Sequence, residues 1–179
     1  SSWAIFLQKP SDLGYSDEGY SLPALHVHEH MIKTEQRVFE GKDGQIKMFA
    51  NANLNLHEAA REKKDSIDLR VQKGLEIIQV NPDEHFLLWH DQEAERHAIK
   101  KALPEAVEVF GSQDLEIREQ NIIDFSNGKI KYLATKPILS GSGCNFQRHC
   151  CHAIFIGIGF KFNDFIQAIH RIYRFLQAR

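Results

Sequence analysis

The sequence contains no phosphate-binding loop. The pattern Gly-x-x-x-x-Gly-Lys-Ser/Thr occurs nowhere, and the only Gly-Lys pairs, Gly41-Lys42 and Gly128-Lys129, are followed by Asp and Ile. No Asp-Glu pair closes an apolar strand: Asp83-Glu84 precedes one, and Asp17-Glu18 lies in a loop. Hydrolysis of a nucleoside triphosphate needs both the phosphate cradle and the metal ligand, so the chain does not carry that chemistry by itself. A basic excess is also missing, with 22 Lys and Arg against 24 Asp and Glu and a net charge of -2. Bulk charge therefore does not advertise nucleic-acid binding, although a few phosphate-contacting loops remain compatible with it. No apolar run approaches the ~20 residues that span a bilayer, so no membrane partner is expected. The start, Ser1-Ser2-Trp3-Ala4, lacks the basic-then-apolar layout of a secretion signal. Cysteine is scarce: three residues, two of them adjacent (Cys150, Cys151). An odd, clustered set is not a disulfide framework and points to a reducing, cytoplasmic compartment. Internal repeats and low-complexity tracts are absent.

What is present is an ordinary globular composition. The 179 residues are 42% hydrophobic and 26% charged, enough for one domain with its own core, or one domain plus an appendage. The first residue is not Met and the last helical pattern runs to the end, which suggests a piece of a longer protein. The pattern divides the chain near residues 80–84. The front is irregular. Trp3–Leu7 is a short apolar run, Ser11–Ser21 a loop by composition, and Leu25–Met31 alternates with period two as a strand does. Gln45–Ala50 is a further candidate strand. Leu54–Val80 has few breakers and predicts a long helix, interrupted near Asp65-Ser66 and stopped by Asn81-Pro82-Asp83. The rear is regular. Phe86–Trp89, Ala106–Phe110, Ile130–Ala134 and Ala153–Ile158 predict strands. Between them fall helices Gln92–Leu103, capped by Asp91, and Asp114–Phe125, ended at Asn127-Gly128. A last helix, capped by Asn163 or Asp164, runs to Gln177. Strands alternating with helices of this length imply an α/β fold with a parallel sheet covered on both faces. Ligands of such sheets gather at the carboxyl ends of the strands, here after Trp89, Phe110, Thr135 and Ile158.

The last helix carries a polar stripe. Gln167, Arg171, Arg174 and Gln177 are spaced by four, three and three, along one face, while Phe165, Ile169, Ile172 and Leu176 lie on another. Two guanidiniums on successive turns repel unless an anion or carboxylate lies between them, and the planar guanidinium fork suits phosphate. Taken by itself, the stripe also fits a solvated helix face.

Beyond spacing, the run Gln167-x-x-His170-Arg171-x-x-Arg174-x-x-Gln177 resembles the last motif of superfamily-two helicases in their Swi/Snf-related form. Upstream, Thr135-Lys-Pro-Ile-Leu-Ser-Gly-Ser-Gly143-Cys-Asn145-Phe-Gln147 resembles the preceding motif, a strand followed by a Gly-rich loop ending in Gly-x-Asn. His152–Ile158 follows as the next strand, and Phe162-Asn-Asp-Phe leads to Gln167. Phe86-Leu-Leu-Trp-His-Asp91 and Val109-Phe-Gly111-Ser112, continuing to Arg118-Glu119, occupy the places of the lobe's first strand and its second strand-to-helix turn. The order is similar to that of a phage- and prophage-type branch, close over residues 85–179 and loose over 1–84. The resemblance implies a RecA-like C-terminal core at 85–179. Residues 1–84 would be an inter-lobe linker and variable α/β segment. Arg171 and Arg174 would act as arginine fingers toward ATP, and Gln167 would position their helix or the nucleotide. Gly141, Ser142, Gly143 and Asn145 would form a loop linking nucleotide to nucleic acid. Gly111, Ser112, Thr135 and Lys136 would touch DNA phosphates, contacts that carry no sequence information. ATP and Mg2+ would be held mainly by an N-terminal RecA-like lobe of the same polypeptide, so the chain alone would be inactive.

Two other constellations compete. Cys144, His149, Cys150, Cys151 and His152 cluster, but structural zinc sites pair their ligands as Cys-x(2–4)-Cys, and no metal site is expected from this pattern. His26, His28 and His30 would share a strand face, most simply as a half-exposed rim. Tyr15 and Tyr20 would either pack or stack on a base. The alternatives to a motor lobe are a stand-alone nucleotide-binding α/β module and a Cys/His metal-binding interaction domain.

Overall fold

The computed structural model describes residues 9–18, 20, 22–34, 62–140, 144–159, 161–175 and 177. After a short 3-10 turn at Pro10–Leu13, the elements run α1 (Ile67–Val80), β1 (Phe86–Trp89), α2 (Glu93–Ala102), β2 (Val107–Val109), α3 (Leu115–Ser126), β3 (Tyr132–Thr135), β4 (His152–Phe155) and α4 (Phe162–Ile169). The strands form one parallel sheet in the order β2-β3-β1-β4. The α/β architecture expected from the alternating pattern is the one observed.

Period two explains how the sheet is covered on both faces. Phe86 and Leu88 of β1 point to one side with Tyr132 and Ala134 of β3. There they meet Ile67, Val71 and Ile78 of α1 and Ile99 of α2. Leu87, Trp89 and Leu133 point to the other side, with Phe125 of α3, Phe146, and Ala168 of α4. Phe125 meets Phe146 edge-on, ring centroids 5.1 Å apart. With both faces filled, β1 and β3 are buried along their whole length, which is why β1 reads as an unbroken apolar run.

Several local expectations hold. The Asp114 carboxylate accepts from the N–H groups of Glu116 and Ile117 and caps α3. Gly128 takes a left-handed φ of 74° just past that helix. Residues 62–65 are helical, Ser66 is a turn, and α1 resumes at Ile67, so the break near Asp65-Ser66 is real. The apolar run Trp3–Leu7, the candidate strand Gln45–Ala50 and residues 54–61 of the expected long helix lie outside the described residues.

Three expectations need correction. Gln92, not Asp91, is the N-cap of α2; the Asp91 carboxylate is instead bound by Lys63 Nζ at 2.6 Å. Leu25–Met31 is not a strand: both alternating sets are exposed, including Val27 at 67% and Met31 at 96%, so no sheet edge or core claims either face. The last helix is capped by Lys161 rather than by Asn163 or Asp164, and it stops at Ile169 rather than Gln177. The Arg171 carbonyl, which a continuing helix would offer to the N–H four residues on, accepts from Phe146 N–H at 3.2 Å instead. The front loop meets this end of the chain. Tyr173 Oη donates to the Pro23 carbonyl at 3.1 Å, and Tyr20 packs on Phe175 at 5.2 Å between ring centroids.

Candidate functional site

A shallow groove of about 440 Å³ lies just beyond α4. It is lined by Gln167, His170, Arg171, Tyr173, Arg174 and Phe175, with Leu22 from the front loop. The polar stripe survives the early end of α4 because the chain continues in tight turns. Arg171 N–H donates to Ala168 O, and Ile172 N–H to Ile169 O. Gln167, Arg171 and Arg174 therefore face one open space. Arg174 Nη1 donates to Asn145 Oδ1 at 2.6 Å, and its guanidinium lies 5.8 Å from the Phe175 ring. Arg171 is half-buried, and its Nε is buried without a hydrogen bond among the described residues. Burial pushes the nearby Cys144 thiol up, while the charge of Arg171 opposes that shift. Among the described residues, the groove lining includes two guanidiniums and no carboxylate. That donor set fits an anion such as a phosphate and does not fit Mg2+. Of the four residues expected to follow β3 as a nucleotide-linked loop, Asn145 joins the groove through Arg174, and Gly141, Ser142 and Gly143 lie outside the described residues.

A second, smaller recess opens at the carboxyl ends of β1, β3 and β4, between Lys136, Ile138, Phe155, Lys161 and Phe165. Lys136 is paired with Glu93 at 2.9 Å and keeps a quarter of its side chain exposed. Hydrogen bonds from Lys136 and Arg96 hold the Glu93 carboxyl down to about 2. Thr135 is fully buried in β3, which narrows any phosphate contact of that pair to Lys136. Gly111 and Ser112 form an exposed turn after β2. Arg96 is bonded to Glu93 and to Glu108, with its guanidinium 4.3 Å from the ring centroid of Phe110, the residue before that turn.

Sequence reasoning missed the residues that hold this end of the sheet together. Glu95 is fully buried. Its Oε2 accepts from the N–H groups of Asp91 and Gln92 at 2.8 and 2.9 Å, and its Oε1 from Arg70 Nη1 at 2.7 Å. Arg70 also donates to the Ile156 carbonyl, so one ion pair ties α1, the β1–α2 turn and the end of β4. A Cβ on Gly157 would collide with the Glu95 carboxylate, so only glycine fits there. His90, next to Trp89 at the end of β1, is fully buried, and neither ring nitrogen has a partner among the described residues. Burial first, and the Lys136 charge second, lower its pKa to about 4. The available signals were a Gln92-x-x-Glu95 capping box and a histidine closing an apolar strand.

The cysteines play no part in either recess as nucleophiles. None of the three forms a disulfide among the described residues. Cys150 is buried, its Sγ donates to the carbonyls of His85 and His152, and burial pushes it up to about 12. His26, His28 and His30 are exposed on the front loop.

No family model matches the sequence, and no curated protein matches it. Among solved structures, the chain is similar to the crystal structure of the C-terminal part of the Fun30 ATPase domain, with a TM-score of 0.52 and 22% identity. The match covers 61% of this chain and 36% of that one, so the chain spans about a third of that structure's length. At this identity the likeness is one of fold. The fold is RecA-like. None of the helices among the described residues is long and apolar enough to cross a membrane.

Proposed function

We propose that the chain is the second motor lobe of an ATP-dependent DNA helicase or translocase. The observation that carries this is the convergence of Gln167, Arg171 and Arg174 on one open groove, lined by no carboxylate among the described residues, with Arg174 tied to Asn145 of the Gly-rich loop. Support comes also from the RecA-like fold, similar to the C-terminal part of an ATPase domain. ATP and Mg2+ would be held by a phosphate loop and Asp-Glu pair on an N-terminal lobe of the same polypeptide. The Mg2+ ion held there would supply neutralisation of the phosphate charge. This chain's part is to present Arg174, and beside it Arg171, across the cleft. Charge grows on the oxygens around the transferring phosphoryl group, and a guanidinium already held in place stabilises it without reorganising. The Asn145 amide oxygen orients one edge of the Arg174 fork and leaves its other nitrogens for phosphate. Lys136 and the exposed turn at Gly111 and Ser112 would hold the DNA backbone at the carboxyl ends of the strands. The sequence-independent character of such contacts suits a motor that tracks along a strand.

The test compares the chain alone with a polypeptide joining it to a lobe that carries the phosphate loop. The chain alone is expected to hydrolyse no ATP and to bind it weakly. The joined protein is expected to show DNA-stimulated hydrolysis. Tight ATP binding to the isolated chain by calorimetry would overturn the reading in favour of a self-contained nucleotide-binding module.

A further inference from the structure

At the amino ends of the strands, away from both recesses, lies a mixed cluster of ligating side chains. Parallel pairing sets Phe86 of β1 beside His152 of β4. The turn that precedes β1 therefore meets the residues that open β4. One ligand atom each from Glu84, Cys151 and His152 lies within 4.8 Å of the others, and all three residues are half-buried. The His152 ring is stacked on Phe86, 5.0 Å between centroids, which limits its rotation. Cys150 is turned inward, its thiol bonded to the carbonyls of His85 and His152, so the vicinal Cys151 is the thiol left to this cluster.

We infer that Glu84, Cys151 and His152 form a three-ligand site for a zinc-class divalent cation, with solvent completing the coordination. The donor set decides the class. A thiolate, an imidazole and a carboxylate together suit Zn2+, whereas Mg2+ and Ca2+ take oxygen ligands alone. The spacing is compatible. Zinc bond lengths and a tetrahedral angle put ligand atoms roughly 3.3–3.7 Å apart, so small side-chain rotations close the set around one ion. Binding would release the Cys151 proton and clamp the Glu84 turn, through which α1 enters the sheet, to the start of β4. The role is therefore structural, and it is independent of the motor reading.

The test loads the chain, kept reduced, with Zn2+ and separately with Co2+, then removes unbound metal. The expected result is about one equivalent of retained zinc, and for cobalt a thiolate charge-transfer band in the near ultraviolet. Cys151→Ser should abolish the band. Cys144→Ser and His149→Ala should leave it intact. Glu84→Gln and His152→Ala should each weaken binding by at least the ~10–100-fold that loss of an outer-shell partner costs. Circular dichroism of each metal-free variant checks its fold, and Glu84→Gln, on a half-buried turn, conserves shape if His152→Ala does not fold. A band that persists in Cys151→Ser, affinity unchanged in Glu84→Gln, or zinc retention no greater than in Cys151→Ser would overturn the assignment. None of these results bears on ATP hydrolysis, so the two readings fail separately.

Discussion

Replacing Arg70 by alanine should destabilise the chain far more than loss of a surface ion pair would. Glu95 is fully buried, whereas Arg70 keeps only 17% of its side chain exposed. Removing the guanidinium leaves a carboxylate inside the fold with two backbone N–H donors and no counter-charge. Breaking one partner of a buried pair costs about 3–5 kcal/mol, against about 0–1 kcal/mol for an exposed pair. Arg70 also satisfies the Ile156 carbonyl, which pushes the cost toward the upper figure. For a domain of this size, each kcal/mol lowers the melting temperature by roughly 2–4 °C, so Arg70→Ala should lower it by about 6–20 °C. Glu95→Gln alone should also be costly, because its amide would face the Arg70 donors. The double variant removes both the lone charge and that conflict, so its cost should fall short of the sum by about 1–3 kcal/mol. Urea titration of the four proteins gives the cycle. A cost for Arg70→Ala below about 1 kcal/mol, or strict additivity, would refute the idea that this pair holds the carboxyl end of the sheet.

Other consequences can be read from the recess at that end. His90 is held neutral, with its pKa lowered from 6.5 to about 4. Above pH 6.5 it is neutral in both states; below that, the unfolded chain takes up a proton that the folded chain refuses until about pH 4. Stability should therefore fall by about 3 kcal/mol as pH drops through that window. His90→Gln should flatten the stability profile between pH 6.5 and 4.5, above the range where Glu93, held down to about 2, contributes its own loss. An unchanged profile would contradict the burial of a neutral ring. In the two-lobe protein, Lys136→Ala should weaken DNA binding evenly across sequences and reduce the slope of log affinity against log salt by about 1. A loss confined to particular sequences would place Lys136 against bases instead of phosphates.

The parts of the fold legible in the sequence are those decided locally. Phe86–Trp89 announces a strand buried on both faces, Asp114 its own cap, and Gly128 the left-handed turn. What escaped depends on partners distant in the chain. The end of α4 is set when Phe146 captures the Arg171 carbonyl, a bond between loops that no helical periodicity encodes. Leu25–Met31 has the alternation of a strand but no neighbour to pair with. At the site, the spacing of Gln167, Arg171 and Arg174 did place them in one groove, because the tight turns after α4 keep nearly the helical advance. Spacing could not show that Arg174 reaches Asn145, that Thr135 is buried beneath Lys136, or that His90 and Glu95 lie sealed at the ends of the strands.

The central claim is that Arg174 reaches across a cleft to ATP, and its most direct measurement is kcat for ATP hydrolysis by the two-lobe protein with DNA saturating. Arg174→Ala should lower kcat by about 10³-fold or more, the scale of an arginine finger, while leaving DNA affinity within a few-fold. Arg174→Lys should recover little of that loss, because an ammonium cannot reproduce the planar fork held by Asn145. Wild-type kcat in Arg174→Ala would contradict the account.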